Sequence, residues 1–187
     1  MPCLLKICCT EDYNTGTTSD ICQGAVTLLR QYVEERWDTE GEISQNDKEI
    51  IKENIVGSMS ACTDLMIIEN LEDCMNFIAL EDYPERWDGV LEQIGANMVS
   101  EDLQVCYAAL CSLRAIVKKY YMKIGGERKP LLEITENAFS ILEGLFQKHL
   151  ETFDDTSVII MTVLTKIFYL ANYVVLYYSI KHVFIID

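Results

Sequence analysis

The chain has 187 residues, half of them hydrophobic and 24% charged, and a formal net charge of −15 at neutral pH. That length holds one sizeable domain with its own core and leaves little room for two, and the composition excludes a disordered chain. Three prolines and nine glycines are few for an all-β protein, and the acidic balance repels nucleic-acid phosphates, so a helical protein without direct DNA or RNA binding is expected.

The elements follow one another as helix after helix. Residues 2–9, PCLLKICC, read as the tail of a helix, and EDYNTGTTSD after it reads as a polar linker broken at Gly16. Over residues 20–37, Ile21, Ala25, Leu28, Leu29, Tyr32 and Val33 form a stripe at three- and four-residue spacing. The polar run DTEGEISQN at 38–46 separates it from a helix capped by Asn46 or Asp47, with Ile50, Ile51, Ile55 and Met59 on one side. Ser60–Thr63 make a short connection into LMIIENLEDCMNFIAL, again apolar at helical spacing.

The stretch ALEDYPERWDGVLEQI then interrupts the pattern. Pro84 cannot continue a helix, because its ring removes a donor and biases Tyr83 away from the α region. It is suited to starting a new helix at the first turn, with Asp82 placed to cap it. Tyr83 and Trp87 then fold apolar surface over a tight corner between antiparallel helices. Packing of this kind is the leading reading for the two aromatics, ahead of a peptide pocket.

Beyond the corner, Trp87, Val90, Leu91, Ile94 and Met98 define the next stripe. Ser100 with Asp102 opens VCYAALCSLRAIVKKYYMKI, expected to end at Gly125 and Gly126 with Lys118, Lys119 and Lys123 in its last turns. Pro130 suits the first turn of LLEITENAFSILEGLFQKHL, and TFDDTSV, through Asp154 and Asp155, caps a long apolar helix over IIMTVLTKIFYLANYVVLYY. First helices begin near residues 20, 62, 102 and 155. A period of roughly 40–50 residues is that of HEAT or armadillo arrays. The expected architecture is therefore an all-α, α-α superhelix: one solenoid module over residues 1–187 with hairpins at about 1–60, 62–99, 101–151 and 154–187. A four-helix bundle is the competing arrangement, less suited to eight segments with short connections.

The charge is uneven. Residues 1–102 hold 22 acidic and 6 basic side chains, a net of −16, whereas residues 103–187 hold 8 acidic and 9 basic, a net of +1. An acidic half keeps a helical protein soluble and suits a basic partner. The eight cysteines include no CxxC pair and no Cys/His cluster at zinc spacing. Cys8, Cys9, Cys62, Cys74, Cys106 and Cys111 sit in or beside apolar helical patterns, and no secretory leader opens the sequence, so reduced, buried thiols in a cytosolic or nuclear protein are expected. His149 and His182 are the two histidines, without a constellation for acid–base or nucleophilic work. No phosphate loop, GxSxG or HExxH occurs, and no catalytic site, metal or cofactor is read from the sequence.

Four segments occur in an order that resembles the importin-β superfamily (karyopherins), in particular the importin seven and eight type over its amino-terminal HEAT repeats. They are IIKENIVGSM (50–59, with Asn54), DYPERWDGVLEQIG (82–95, with Asp82, Tyr83, Pro84 and Trp87), KKYYMK followed by ERKPL (118–131, with Pro130), and TKIFYLANYVV (165–175). What the resemblance implies is a nuclear transport receptor module that shuttles between cytoplasm and nucleus. Its implied partners are the GTP form of Ran, basic cargo along the inner surface, and phenylalanine-glycine nucleoporins on the outside. The second helix of each pair carries the family's Ran contacts. Lys48, Lys52 and Glu53 on residues 47–60, towards the concave surface, and Glu92, Gln93 and Asn97 on residues 86–98 as the equivalent exposed set, form the expected Ran-facing surface. The family's members are several times longer than four hairpins, which points to a short paralogue, a divided gene or a truncated receptor. The alternatives are a generic helical scaffold or remnant without Ran binding, and an adaptor tethered to a membrane by residues 158–186. For that segment, Lys166, Asn172, Lys181 and His182 interrupt a clean span. A helix buried on most sides is expected instead, with an apolar face left open where a further repeat would pack.

Overall fold

The computed structural model describes residues 1–9, 18–152 and 154–184, with side chains described through Val175 in the last helix. The expected linker break at Gly16, and the side chains of Lys181 and His182 in the closing segment, lie outside what is described. Among the described residues the fold is all-α, as the sequence predicts, and has no strand. Its α-helices are α1 (Pro2–Cys8), α2 (Ser19–Arg36), α3 (Gln45–Ala61), α4 (Leu65–Asp82), α5 (Val90–Met98), α6 (Leu103–Lys118), α7 (Lys129–Thr152) and α8 (Asp155–Phe184). A 3₁₀ turn at Gly125–Arg128 precedes α7. Two compact units divide the chain, Met1–Ala115 and Ile116–Asp187.

In the first unit the helices form two layers. α2 packs on α4 in one layer, while α3 packs on both α1 and α5 in the other. The α1–α2 and α3–α4 contacts join the layers. This is the stacked-hairpin arrangement of a helical-repeat solenoid. Between the layers lie Leu29, Ile51, Ile55, Met59, Ile68, Leu71, Met75, Ile78 and Ile94, all fully buried. Each contributes about 1.5–3 kcal/mol of apolar burial before the entropy of ordering is counted. In the second unit α7 packs along α8, and Leu131, Ile134 and Ala138 on α7 and Ile160, Val163, Leu164 and Ile167 on α8 are buried.

Side-chain caps start four of these helices. The Ser44 hydroxyl accepts from Asp47 N–H at 3.1 Å, Asp64 from Met66 N–H at 2.8 Å, Asp102 from Gln104 N–H at 2.9 Å and Asp154 from Ser157 N–H at 2.7 Å. Asp102 and Asp154 act as the sequence predicts. The cap of α3 is Ser44, and neither Asn46 nor Asp47: an acceptor three residues upstream of Asp47 reaches its free N–H, which puts both candidates inside the first turn.

Three further expectations are corrected. In α2 the buried face runs Cys22, Ala25, Val26, Leu29 and Val33, whereas Ile21 and Leu28 are 50% and 57% exposed. The helix is held from both sides by α1 and α4, which rotates the buried face toward Cys22 and Val26. α6 stops at Lys118, well before the expected end at Gly125, because Lys119, Tyr120 and Tyr121 bond back three residues and tighten the chain into turns. Gly125 then takes φ +59°, a left-handed conformation suited to glycine. Last, α8 is not buried on most sides: Val158, Ile159, Phe168, Tyr169 and Val175 are exposed, since α7 covers only one side of it. The open apolar face expected for this segment is present. Its stretch Asp155–Val175 is long and apolar enough to cross a membrane by length and composition, with Lys166 exposed in the middle of it.

Candidate functional site

The corner after α4 is built differently from the expected helix start. Residues 83–86 form turns, and α5 begins at Val90 behind Gly89, whose φ of +75° sets the angle of approach. Pro84 therefore lies in the turn and starts no helix, and Asp82 is the last residue of α4 and caps no helix. The Tyr83–Pro84 peptide bond is cis. Tyr83 and Trp87 are both buried, in agreement with corner packing.

The carboxylate of Asp82 organises this corner. Its Oδ2 accepts from Lys52 Nζ at 3.0 Å, and its Oδ1 lies 3.1 Å from the Arg86 guanidinium. Lys52 also donates to the Arg86 carbonyl at 2.6 Å, and Arg86 donates to the Glu81 carbonyl at 2.8 Å. Lys52 is only 8% exposed. The expectation that Lys52 is exposed on the concave, Ran-facing surface is thus overturned, because the buried face of α3 is wide enough to include it beside Ile51, Ile55 and Val56. A buried ammonium requires a paired anion, and Asp82 is that anion.

The other expected surface residues separate into two groups. Glu53 on α3 and Glu92 on α5 are exposed, and Gln93 is half-buried. Lys48 is half-buried and engaged: its ammonium donates to the Trp37 carbonyl and sits 5.4 Å from the centre of the Trp37 ring. Asn97 donates to the Ser60 hydroxyl at 3.5 Å and so joins α5 to α3. The exposed residues of α3 and α5 consequently present carboxylates and amides, including Glu49, while the two lysines of α3 are occupied elsewhere. Asn54 is exposed on the same helix and bonds to the Ile50 carbonyl one turn back.

Several linking residues have no counterpart in the sequence reading. Arg114 of α6 grips Glu72 of α4 with both arms, Nε to Oε1 at 2.6 Å. Burial alone lowers the guanidinium's value, and the pairing with Glu72 more than offsets it, so the group stands above its ordinary value. Asn76 donates to the Ala115 carbonyl at 2.9 Å, and the Gln104 amide reaches the Cys62 carbonyl. Each contact crosses about forty residues of sequence, and periodicity carries no signal for such pairs.

In the second unit, a half-open apolar groove of about 660 Å³ runs between α7 and α8, lined among others by Leu131, Phe139, Phe146, Leu164, Phe168 and Val175. Arg128 closes one end by donating to the Ala171 carbonyl. Pro130 lies in the first turn of α7, as expected. His149 is buried, with Nδ1 3.1 Å from the Ser157 hydroxyl, where it fastens the α7–α8 turn.

The chain is 30% identical to importin-8 of Danio rerio over 174 residues, which is 90% of this chain and 17% of that protein. It is 28% identical to a probable importin-7 homologue of Dictyostelium discoideum over 153 residues, 77% of this chain and 14% of the relative. With exportin-2 of Oreochromis niloticus it shares 26% identity over 165 residues, 80% of this chain and 17% of the relative. The chain thus spans about a sixth of the length of the curated relatives it matches. No family model matches it, and no solved structure matches it.

Proposed function

This chain belongs to the importin-β superfamily, and from that premise we propose that it is a non-enzymatic nuclear transport receptor module. The observation that carries the reading is similarity over 90% of the chain to a protein named as an importin, on a fold of stacked helical hairpins. The exposed face of α3 and α5, with Glu53, Glu92, Gln93 and Asn97, takes the GTP form of Ran. Basic cargo is drawn to the acidic unit by complementary potential. The α7–α8 groove, open and lined by Phe139, Phe146 and Phe168, suits the phenylalanine side chains of phenylalanine-glycine nucleoporins. Shuttling between cytoplasm and nucleus follows from these partners. Release is competitive, because the GTPase and the cargo favour different curvatures of the helical stack.

Calorimetric titration with Ran loaded with a non-hydrolysable GTP analogue, against Ran–GDP, tests the reading. Binding of the GTP form alone is the expected outcome. Charge reversal at Glu53 and Glu92 together is expected to weaken it by about tenfold. One observation favours a second reading: Lys48 and Lys52 are held by Trp37 and Asp82, so neither is available to a partner. A folded chain that binds neither nucleotide form would put a helical scaffold without Ran binding in first place.

A further inference from the structure

α7 carries two apolar rows. One, through Leu131, Ile134 and Ala138, is buried. The other places Leu132, Phe139 and Phe146 at every seventh residue, with Thr135 and Leu142 three residues after the first two. All five line the α7–α8 groove, and Leu132, Phe139 and Phe146 are exposed on it. Apolar positions repeating in this way form the seam of a coiled coil, which another helix covers. The polar groups of the groove point to a helix as well. Thr135 donates to the Leu131 carbonyl at 3.0 Å, Thr165 to the Met161 carbonyl at 2.8 Å and Asn172 to the Phe168 carbonyl at 2.9 Å, so each donor is satisfied inside its own helix. An extended chain laid along these walls would bury its N–H and C=O groups without partners, whereas a helix satisfies its own.

We propose that the occupant is α7 of a second copy of this chain, packed antiparallel about a two-fold axis beside Thr135, so that two α7–α8 pairs close into a four-helix bundle. The seam is self-complementary under that operation. An axis midway between residues 135 and 136 sets Leu132 of one copy opposite Phe139 of the other, and Arg128 opposite Glu143, with each pairing made twice. Arg128 and Glu143 are the charged side chains of the groove lining, Arg128 at one end and Glu143 on the far side of the axis. The Ala171 and Lys123 carbonyls hold the Arg128 guanidinium, and being neutral they leave its charge for a carboxylate. A parallel pairing would set Arg128 against Arg128 and Glu143 against Glu143, so charge selects the antiparallel direction while the apolar row supplies the affinity. The contact also lies where two copies repel least, since residues 103–187 carry a net of +1 and residues 1–102 a net of −16. Because the same face serves both copies, assembly stops at two. The dimer does not depend on the transport reading. It covers the groove that nucleoporin phenylalanines would enter, so the two occupants exclude each other.

Sedimentation equilibrium of the full wild-type chain over the micromolar range tests the assembly. The expected mass rises from one chain to two and stops there. A chain that stays monomeric, or one that grows past two, overturns the proposal. Glu143→Lys changes an exposed side chain and turns both attractive pairings repulsive. It is expected to raise the dimer Kd by at least about tenfold; an unchanged Kd overturns the pairing with Arg128.

Crosslinking tests the direction. Thr135→Cys sets two thiols beside the axis, and a short thiol-to-thiol crosslinker is expected to join them. Phe146→Cys sets its two thiols roughly 30 Å apart, beyond that reach. Both are made together with Cys3→Ser, which removes the exposed native thiol. Tryptic peptide 129–148 contains no native cysteine, so a link from that peptide to itself, mapped by mass spectrometry, reports the introduced thiol alone. A self-link at Phe146→Cys, or at neither position, overturns the antiparallel axis.

Discussion

Lys52 and Asp82, thirty residues apart in sequence, meet at 3.0 Å inside the first unit, each side chain less than a tenth exposed. They belong to IIKENIVGSM and DYPERW, two of the segments on which the family resemblance rests, and the contact ties those segments together in the fold. Removing one partner leaves a buried charge without its counter-ion. Lys52→Met or Asp82→Asn is therefore expected to destabilise the first unit by about 3–5 kcal/mol in denaturant unfolding. Replacing both with apolar residues is expected to recover most of that loss, because no charge then stays buried. Arg86, whose side chain is 62% exposed, contributes less than about 1 kcal/mol when changed to Ala.

The same pair marks the limit of what the sequence made legible. Helix positions and most buried stripes follow from apolar spacing: Ile51, Ile55 and Met59 on α3, and Val90, Ile94 and Met98 on α5, are buried as read. Caps at Asp102 and Asp154 were equally legible, since a cap is satisfied within three residues. Lys52 was not, because its burial is decided by a carboxylate at the end of another helix. Only its position beside Ile51, Ile55 and Val56 hinted at it. Pro84 misled for a related reason. Its ring permits a helix start, but Gly89 in the left-handed region moves that start to Val90. On the candidate face, Glu53 and Glu92 lie exposed as read, whereas the engagement of Lys48 with Trp37 arises from a loop packing that periodicity does not encode.

Asp64 links pH to stability. Its carboxylate accepts from Gln23 at 2.9 Å and from Met66 N–H, and these bonds, Gln23 first, hold it below the ordinary carboxylate value. A depressed folded value means that the contribution is complete above the unfolded carboxylate range and is lost as pH falls through it. Asp64→Ala is expected to lower stability by about 1 kcal/mol at neutral pH, the usual worth of a cap. The difference from wild type should begin to shrink by about pH 3, as protonation of Asp64 sets in. Urea titrations at the two pH values measure it.

Cys74 and Cys111 are fully buried, and burial pushes both thiols up to about 12. Neither forms appreciable thiolate near pH 8, and a reagent has no path to either sulfur. Pulsed alkylation of the native chain at that pH is expected to modify Cys3 and leave both intact, with modification appearing only as denaturant opens the first unit. Labelling of Cys74 in the native chain at the rate of Cys3 would contradict the packing of α4.

The α7–α8 face sets the behaviour of the chain at high concentration. Leu132, Phe139, Phe146, Phe168 and Val175 are each more than two-fifths exposed along two adjacent helices. Contiguous apolar surface of this kind associates unless something covers it. The acidic charge that opposes association lies almost wholly in residues 1–102, and residues 103–187 carry a net of +1, so repulsion is weakest where the apolar face lies. Sedimentation velocity is therefore expected to show self-association that rises with concentration and persists at high salt, where an electrostatic contact would weaken. Phe139→Glu with Phe168→Glu places two carboxylates on the groove and is expected to shift the chain toward monomer. Both side chains are already exposed, so unfolding stability should change by no more than about 0.5 kcal/mol per substitution. If association survives the double change, the contact lies elsewhere on the chain.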